Sequence, residues 1–136
     1  MTSDSPHQLL NPRTWKPARG YSNGVAASGR TLFLGGVIGW NDDQEFQSDD
    51  FIDQTEQALR NIVDILAEGG AGPEHLVRLT WYVIDCEEYL ARLRELGGVY
   101  RDTIGTHYPA MALVQVVRLV EPRAKVEIEA TAVVPS

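Results

Sequence analysis

The sequence predicts an α+β domain with the element order β-β-α-β-α-β-β, and three observations predict it. Apolar residues between Phe51 and Leu66 recur at helical spacing, several segments are dense in strand formers, and glycine and proline punctuate the joints between them. The chain has 136 residues, the length of a single domain with one core.

Residues 1–20 contain Pro6, Pro12, Pro17 and Gly20 without a sustained period. They read as an extended N-terminal arm, pinned by Trp15, ahead of a single domain over residues 21–136. Residues 21–27 and 31–38 are rich in strand formers and flank the short turn Ser28-Gly29-Arg30, which predicts a β-hairpin. After a polar loop over 41–47, Ser48 is placed to cap a helix whose first turn carries Asp49, Asp50 and Asp53, where negative charge suits the helix dipole. Phe51, Thr55, Leu59, Ile62 and Leu66 form its buried stripe, and Gly69, Gly70 and Pro73 stop it.

A strand is predicted over 77–84. Asp85, followed three residues later by Glu88, then opens a second helix carrying Leu90, Leu93, Leu96, Tyr100 and Ile104. Gly97 and Gly98 cost this helix about 1 kcal/mol each relative to alanine and mark close packing or an interruption. Two further strands, over 110–119 and 125–134, are joined by a loop containing Pro122. Two helices then lie on one face of a mixed sheet. Residues 32–38 and 112–117 are nevertheless apolar at odd and even positions alike, the pattern of strands buried on both sides. With no residues left to cover the second face, a neighbouring subunit in a closed symmetric ring is expected to do so.

Composition narrows the functional classes. The net charge is −7, with lysines and arginines scattered, so no basic stripe exists for nucleic acid. The first ten residues are polar and no apolar run is long enough to span a bilayer, which predicts a cytoplasmic protein with no membrane partner. A lone cysteine, Cys86, excludes an internal disulfide and reads as a small packing or capping residue. His7, His75 and His107 lack metal-ligand spacing, so no metal is expected. Gly35-Gly36-Val37-Ile38-Gly39 does not satisfy a dinucleotide fingerprint and no phosphate-cradling loop exists, so no cofactor is expected either.

The last strand carries the chemistry. Val126, Ile128, Ala130, Ala132 and Val134 share one face, while Lys125, Glu127, Glu129 and Thr131 share the other, pointing away from the helices. If a neighbouring subunit covers that face, a carboxylate there sits in a partly dry crevice, and burial raises its pKa toward the range of proton exchange. The alternative is a solvated or ion-paired edge residue. His107 and Tyr108, just before Pro109, Ala110 and Met111, are further candidates for a cleft, with the histidine able to move protons near neutral pH. Trp40 and Trp81 read as packing residues.

The stretch YPAMALVQVVRLVEPRAKVEIEA at 108–130 resembles the signature P-A-R-S-x-V-Q-V-x-R-L…V-E-I-E-A of the reactive intermediate deaminase family, also called YjgF or L-PSP endoribonuclease. YSNGV at 21–25, QALRNI at 57–62 and GAGPEHLVRLTWYV at 70–83 fall in the same order and spacing. The resemblance implies a chorismate-mutase-like fold and a homotrimer with small-molecule sites in the clefts between subunits. It also implies hydrolysis of imines or enamines to carbonyl compounds and ammonia. It makes Glu127 the residue that positions the attacking water and Tyr21 a cleft residue.

The departures bear on the substrate. Met111 replaces the arginine that holds a 2-iminoacid carboxylate by a bidentate pair, Gly35 and Gly36 stand where serine often precedes glycine, and a cleft asparagine is replaced near Gly97. The pocket is expected to be roomier and less polar, with Arg19 beside Tyr21 as a substitute anchor. Three readings of function stay open. One is a deaminase for a substrate other than simple 2-iminoacids, such as an aminomuconate-like dienamine. The others are a trimeric ligand-binding or regulatory module without catalysis, and a ribonuclease, which the acidic charge and the lack of a histidine pair disfavour.

Overall fold

The computed structural model describes residues 5–136. The first four residues of the predicted arm lie outside the described residues. Strands β1 (Gln8–Leu9), β2 (Val25–Ala26), β3 (Arg30–Phe33) and β4 (Val37–Ile38) precede helix α1 (Phe51–Glu68). A 3-10 turn at Pro73–His75 leads into β5 (Leu76–Val83), then α2 (Cys86–Ala91), α3 (Leu93–Thr103), β6 (Ala110–Gln115) and β7 (Val126–Val134). The main sheet runs β3-β7-β5-β6, with β4 also paired to β7. The β5–β6 pair is parallel and the others are antiparallel, so the sheet is mixed.

Helix α1 forms because one face can be buried. Phe51, Thr55, Ala58, Leu59, Ile62 and Leu66 are all buried in the core against Leu79, Trp81, Ile128 and Ala130 of the sheet. Each such large side chain contributes roughly 1.5–3 kcal/mol. Its cap is Asp50, not Ser48: the Asp50 carboxylate accepts the Ile52 and Asp53 amides at 3.1 and 3.2 Å. Ser48 serves one step earlier, accepting the Asp50 amide at 3.0 Å and donating to Asp53 at 2.8 Å. Two adjacent polar residues compete for the cap, and the one whose oxygen reaches the free amides of the first turn takes it. Asn61, inside the QALRNI run, donates to the Ile38 and Trp40 carbonyls at 3.1 and 2.7 Å and ties the chain leaving β4 to this helix.

Four elements depart from the sequence reading. The hairpin between residues 21–27 and 31–38 does not form: β2 pairs with β1, inside the arm, and β3 pairs with β7. Strand propensity is local, whereas the choice of partner is made by pairing with segments distant in the chain, for β3 a strand near the other end of the sequence. The strand expected over 31–38 is split at Gly35 and Gly36, and its halves β3 and β4 dock separately on β7. The second helix breaks at Arg92, not at Gly97 and Gly98. The Arg92 guanidinium is held by Asp50 at 2.5 Å and by Glu95 at 2.7 Å, and burial of Leu96 and Tyr100 offsets the glycine cost within α3. The strand expected to reach Leu119 ends at Gln115, because the ladder of β6 with its neighbouring strand β5 runs only as far as Val83.

Candidate functional site

The β5–β6 register builds one wall of a cavity. Leu79 faces Met111 and Trp81 faces Leu113, which directs these side chains to the helix-covered side of the sheet. There they meet Tyr89, Leu93, Leu96, Gly97, Tyr100 and Arg101 of α2 and α3. The cavity measures about 520 Å³, within the span of small-molecule sites.

The chain around Tyr21 forms the rim because its neighbour is locked. Ser22 is buried, donates its amide to the Pro109 carbonyl at 3.0 Å and its hydroxyl to the Tyr108 carbonyl at 2.6 Å, and bridges Ala110 in parallel. Arg19, Gly20 and Tyr21 are thereby held at the mouth, with Tyr21 partly exposed. Tyr108 stacks on Tyr100 with ring centroids 5.1 Å apart. The Tyr100 hydroxyl donates to the His107 carbonyl at 2.6 Å. Burial, and secondarily the Tyr108 phenol, push the Tyr100 pKa far above its ordinary value, so it stays a neutral donor. Burial also raises Tyr89, with Cys86 as a lesser cause.

Glu127 stands on the opposite side of the sheet. Its β-partner is Tyr82, one residue out of phase with the inward-facing Trp81 and Val83. Val126, Ile128, Ala130 and Ala132 are buried beneath the helices, while Glu127 is half-buried and Glu129 exposed on the open side. The Glu127 carboxyl group occupies the space where a side chain at Gly36 would stand, whereas Gly35 borders open space. Tyr82 donates to Glu129 at 3.3 Å, and its pKa is raised by desolvation first, then by Glu129 and Glu127.

The sequence-derived candidates therefore fall into two groups. Arg19, Tyr21 and Met111 share the cavity, Glu127 and Gly36 share the open face, and Gly35 touches neither. His107 is 2% exposed and lies outside the cavity lining, its Nε2 bonded to the Leu76 carbonyl at 2.6 Å. It is not the surface cap the sequence offered as the alternative, because the Tyr100 and Leu76 bonds draw it into the core. Sequence reasoning missed Tyr89, Leu93 and Arg101 as cavity residues and took Trp81 as packing alone. The spacing from Gly97 to Arg101, one helical turn, was the available signal. Cys86, the first residue of α2, is half-buried and its amide donates to Gln115 at 2.8 Å. Among the described residues no cluster of histidine, cysteine and carboxylate side chains could hold a metal ion, and no helix is long and apolar enough to cross a membrane.

Comparison with known proteins adds the following. The family model described as Endoribonuclease L-PSP matches residues 12–134. A RutC family protein of Aquifex aeolicus is 32% identical over 127 residues, 93% of this chain and 98% of that protein. The 2-iminobutanoate/2-iminopropanoate deaminase of Homo sapiens is 27% identical over 114 residues, 83% of this chain and 79% of its own. Among solved structures, the Rid-family protein YyfB of Yersinia pestis, of unknown function, superposes with a TM-score of 0.84 at 33% identity, covering 94% of this chain and 98% of that one.

Proposed function

The chain belongs to the Endoribonuclease L-PSP family, whose Rid members include imine deaminases, and from that premise we propose that it is a hydrolytic deaminase of a conjugated imine or enamine other than a simple 2-iminoacid. The observation that carries the reading is the half-buried Glu127 carboxylate on an open sheet face, combined with a cavity in which Met111 takes the place of a carboxylate-binding arginine. In the proposed reaction Glu127 takes a proton from water as the water oxygen bonds to the imine carbon, and the proton passes to nitrogen. The carbinolamine then collapses: its hydroxyl proton passes by way of Glu127 to nitrogen, the oxygen lone pair forms the carbonyl, the C–N bond breaks and ammonia leaves. An enamine first gains a proton on carbon to become the imine.

The two halves of the site lie on opposite sides of one sheet, so a working site draws them from different copies of the chain. A homotrimer does this if the open face of one copy is covered by its neighbours. Support comes from Phe33, which pairs with Thr131 on the side of Glu127 and is 82% exposed in the single chain. Ribonuclease chemistry has less support, given the net charge of −7 and the burial of His107.

The test is ammonia release from enzymatically generated imines and dienamines, with and without an α-carboxylate, for wild type and Glu127→Gln. Acceleration on conjugated substrates that is lost in the variant supports the reading. No acceleration on any of them assigns the cavity to ligand binding without catalysis, and a monomeric mass in solution removes the shared site.

A further inference from the structure

Met111 leaves the cavity without the strand-borne cation expected of a 2-iminoacid site, but not without cations. Arg19 and Arg101 both line it. Arg60, Arg92 and Arg123 hold carboxylates within the chain, and Arg30 donates to the Gly69 carbonyl at 2.6 Å. Neither Arg19 nor Arg101 has a hydrogen-bond or ion-pair partner among the described residues. Arg13, Arg78, Arg94 and Arg118 also lack one among the described residues, but only Arg19 and Arg101 of the arginines border the cavity.

Arg101 is held at the wall by what is missing beside it. Gly97 lies one turn earlier on α3, and a Cβ built there would come 3.3 Å from Arg101 Nη1, so the guanidinium rests over the bare backbone of Gly97 at the cavity edge. An alanine at 97 asks the guanidinium to shift by only a few tenths of an ångström, whereas a long branched side chain reaches into the space it occupies. The aromatic rings of Tyr21, Tyr89, Tyr108 and Trp81 share the remaining walls with aliphatic side chains such as Leu93, Leu96 and Leu113. Such rings favour a planar, conjugated body, and two unpaired guanidinium forks favour two carboxylates. Since the whole chain carries a charge of −7, affinity for a dianion has to come from these local cations and not from a general positive field.

We propose that Arg101 is a substrate-carboxylate anchor of this cavity, moved from the strand to the helix and made possible by Gly97, and that with Arg19 it selects planar conjugated dicarboxylates. The inference rests on the cavity being the substrate site of the proposed deaminase, and its test reads binding alone.

The probes are hexa-2,4-dienedioate and hexa-2,4-dienoate, one conjugated skeleton with two carboxylates or one, titrated calorimetrically into the assembled protein. Wild type should bind the dianion about tenfold or more tightly than the monoanion, the scale of a charge-assisted pair. Arg101→Gln should bring the ratio close to one, Arg101→Lys should retain part of it, and Gly97→Leu should lose it by displacing the guanidinium. Arg101 is exposed, so circular dichroism should report all Arg101 variants as folded. Equal wild-type affinity for the two probes, no binding of the dienedioate, or an unchanged ratio in Arg101→Gln overturns the proposal. The two ideas fail separately. A dianion preference that depends on Arg101, with no turnover of any imine, sinks the deaminase and leaves the anchor. Turnover of dianionic enamines with the same KM in Arg101→Gln sinks the anchor and leaves the deaminase.

Discussion

The two faces of β7 differ in what surrounds them. Val126, Ile128, Ala130 and Ala132 are buried against the sheet-facing side of α1 and the core, whereas Glu127 and Thr131 are half-buried and Glu129 exposed on the side opposite the helices. Alternation along one strand thus separates buried apolar side chains from carboxylates with no change of backbone. Glu127 can keep a carboxylate in a strategic place because Ile128, its neighbour in sequence, already anchors the strand.

The sharpest way to break this comparison is to change those two neighbours separately. Glu127→Gln is expected to lower the rate of ammonia release by about 10²–10⁴-fold, the usual contribution of a positioned acid or base, while shifting stability by about 0.5 kcal/mol or less. Ile128→Ala is expected to cost about 2–5 kcal/mol in urea unfolding, because it opens a hole in a fully packed core. Steady-state kinetics and denaturation of both variants check the pair. A large stability loss in Glu127→Gln, or an unchanged turnover, would erase the division of labour.

The open face makes a second demand. Phe33 pairs with Thr131 and therefore shares the side of Glu127. Phe33→Glu is expected to reduce the assembly to single chains by light scattering and to abolish turnover with Glu127 intact, while the fold survives as seen by circular dichroism. An unaltered mass would mean that something other than a second copy occupies this face.

Legibility in the sequence followed the same division. Helix α1 could be read almost to the residue, because its buried stripe is local and Gly69 and Gly70 end it. The alternation of β7 was equally plain, since the two chemistries of its faces are written in consecutive letters. What failed was pairing. Nothing near Val25 says that it will meet Leu9 and not the strand after Gly29, and nothing near Phe33 names Thr131. The cavity was half legible: Tyr21 and Met111 lie in motifs, but an arginine at position 101 reads as a solvated helix residue until α3 is laid over β6. The burial of His107 was illegible for a similar reason, since its side-chain bond to Leu76 is long-range and its carbonyl's bond to Tyr100 is buried.

Smaller effects probe the covered side alone. Gln54 is 1% exposed, donates to the Ser48 and Arg123 carbonyls at 3.1 and 3.0 Å and accepts the Lys125 amide at 2.8 Å, stitching α1 to the start of β7. Gln54→Leu keeps the bulk and orphans three backbone groups, at an expected cost of about 2 kcal/mol in urea unfolding. Turnover per folded molecule should not change, since neither half of the proposed site is touched.

The smallest expected effect belongs to Asp50, which caps α1 and holds Arg92 at the break between α2 and α3. Loss of such a cap costs about 1 kcal/mol, so Asp50→Ala should shift the urea midpoint modestly. Its pH dependence identifies the cause. The Arg92 hydrogen bond, acting first, and then the cap amides against some opposing desolvation, hold the Asp50 pKa below its ordinary 3.8. A carboxylate with a depressed folded pKa contributes its stability in full above the unfolded value and loses it as pH falls through the folded one. The difference between wild type and Asp50→Ala should therefore be constant from about pH 8 to 5 and shrink only below about pH 4. A difference that already fades near pH 6 would trace the effect to another group and break the link between this cap and the wall that carries Arg101.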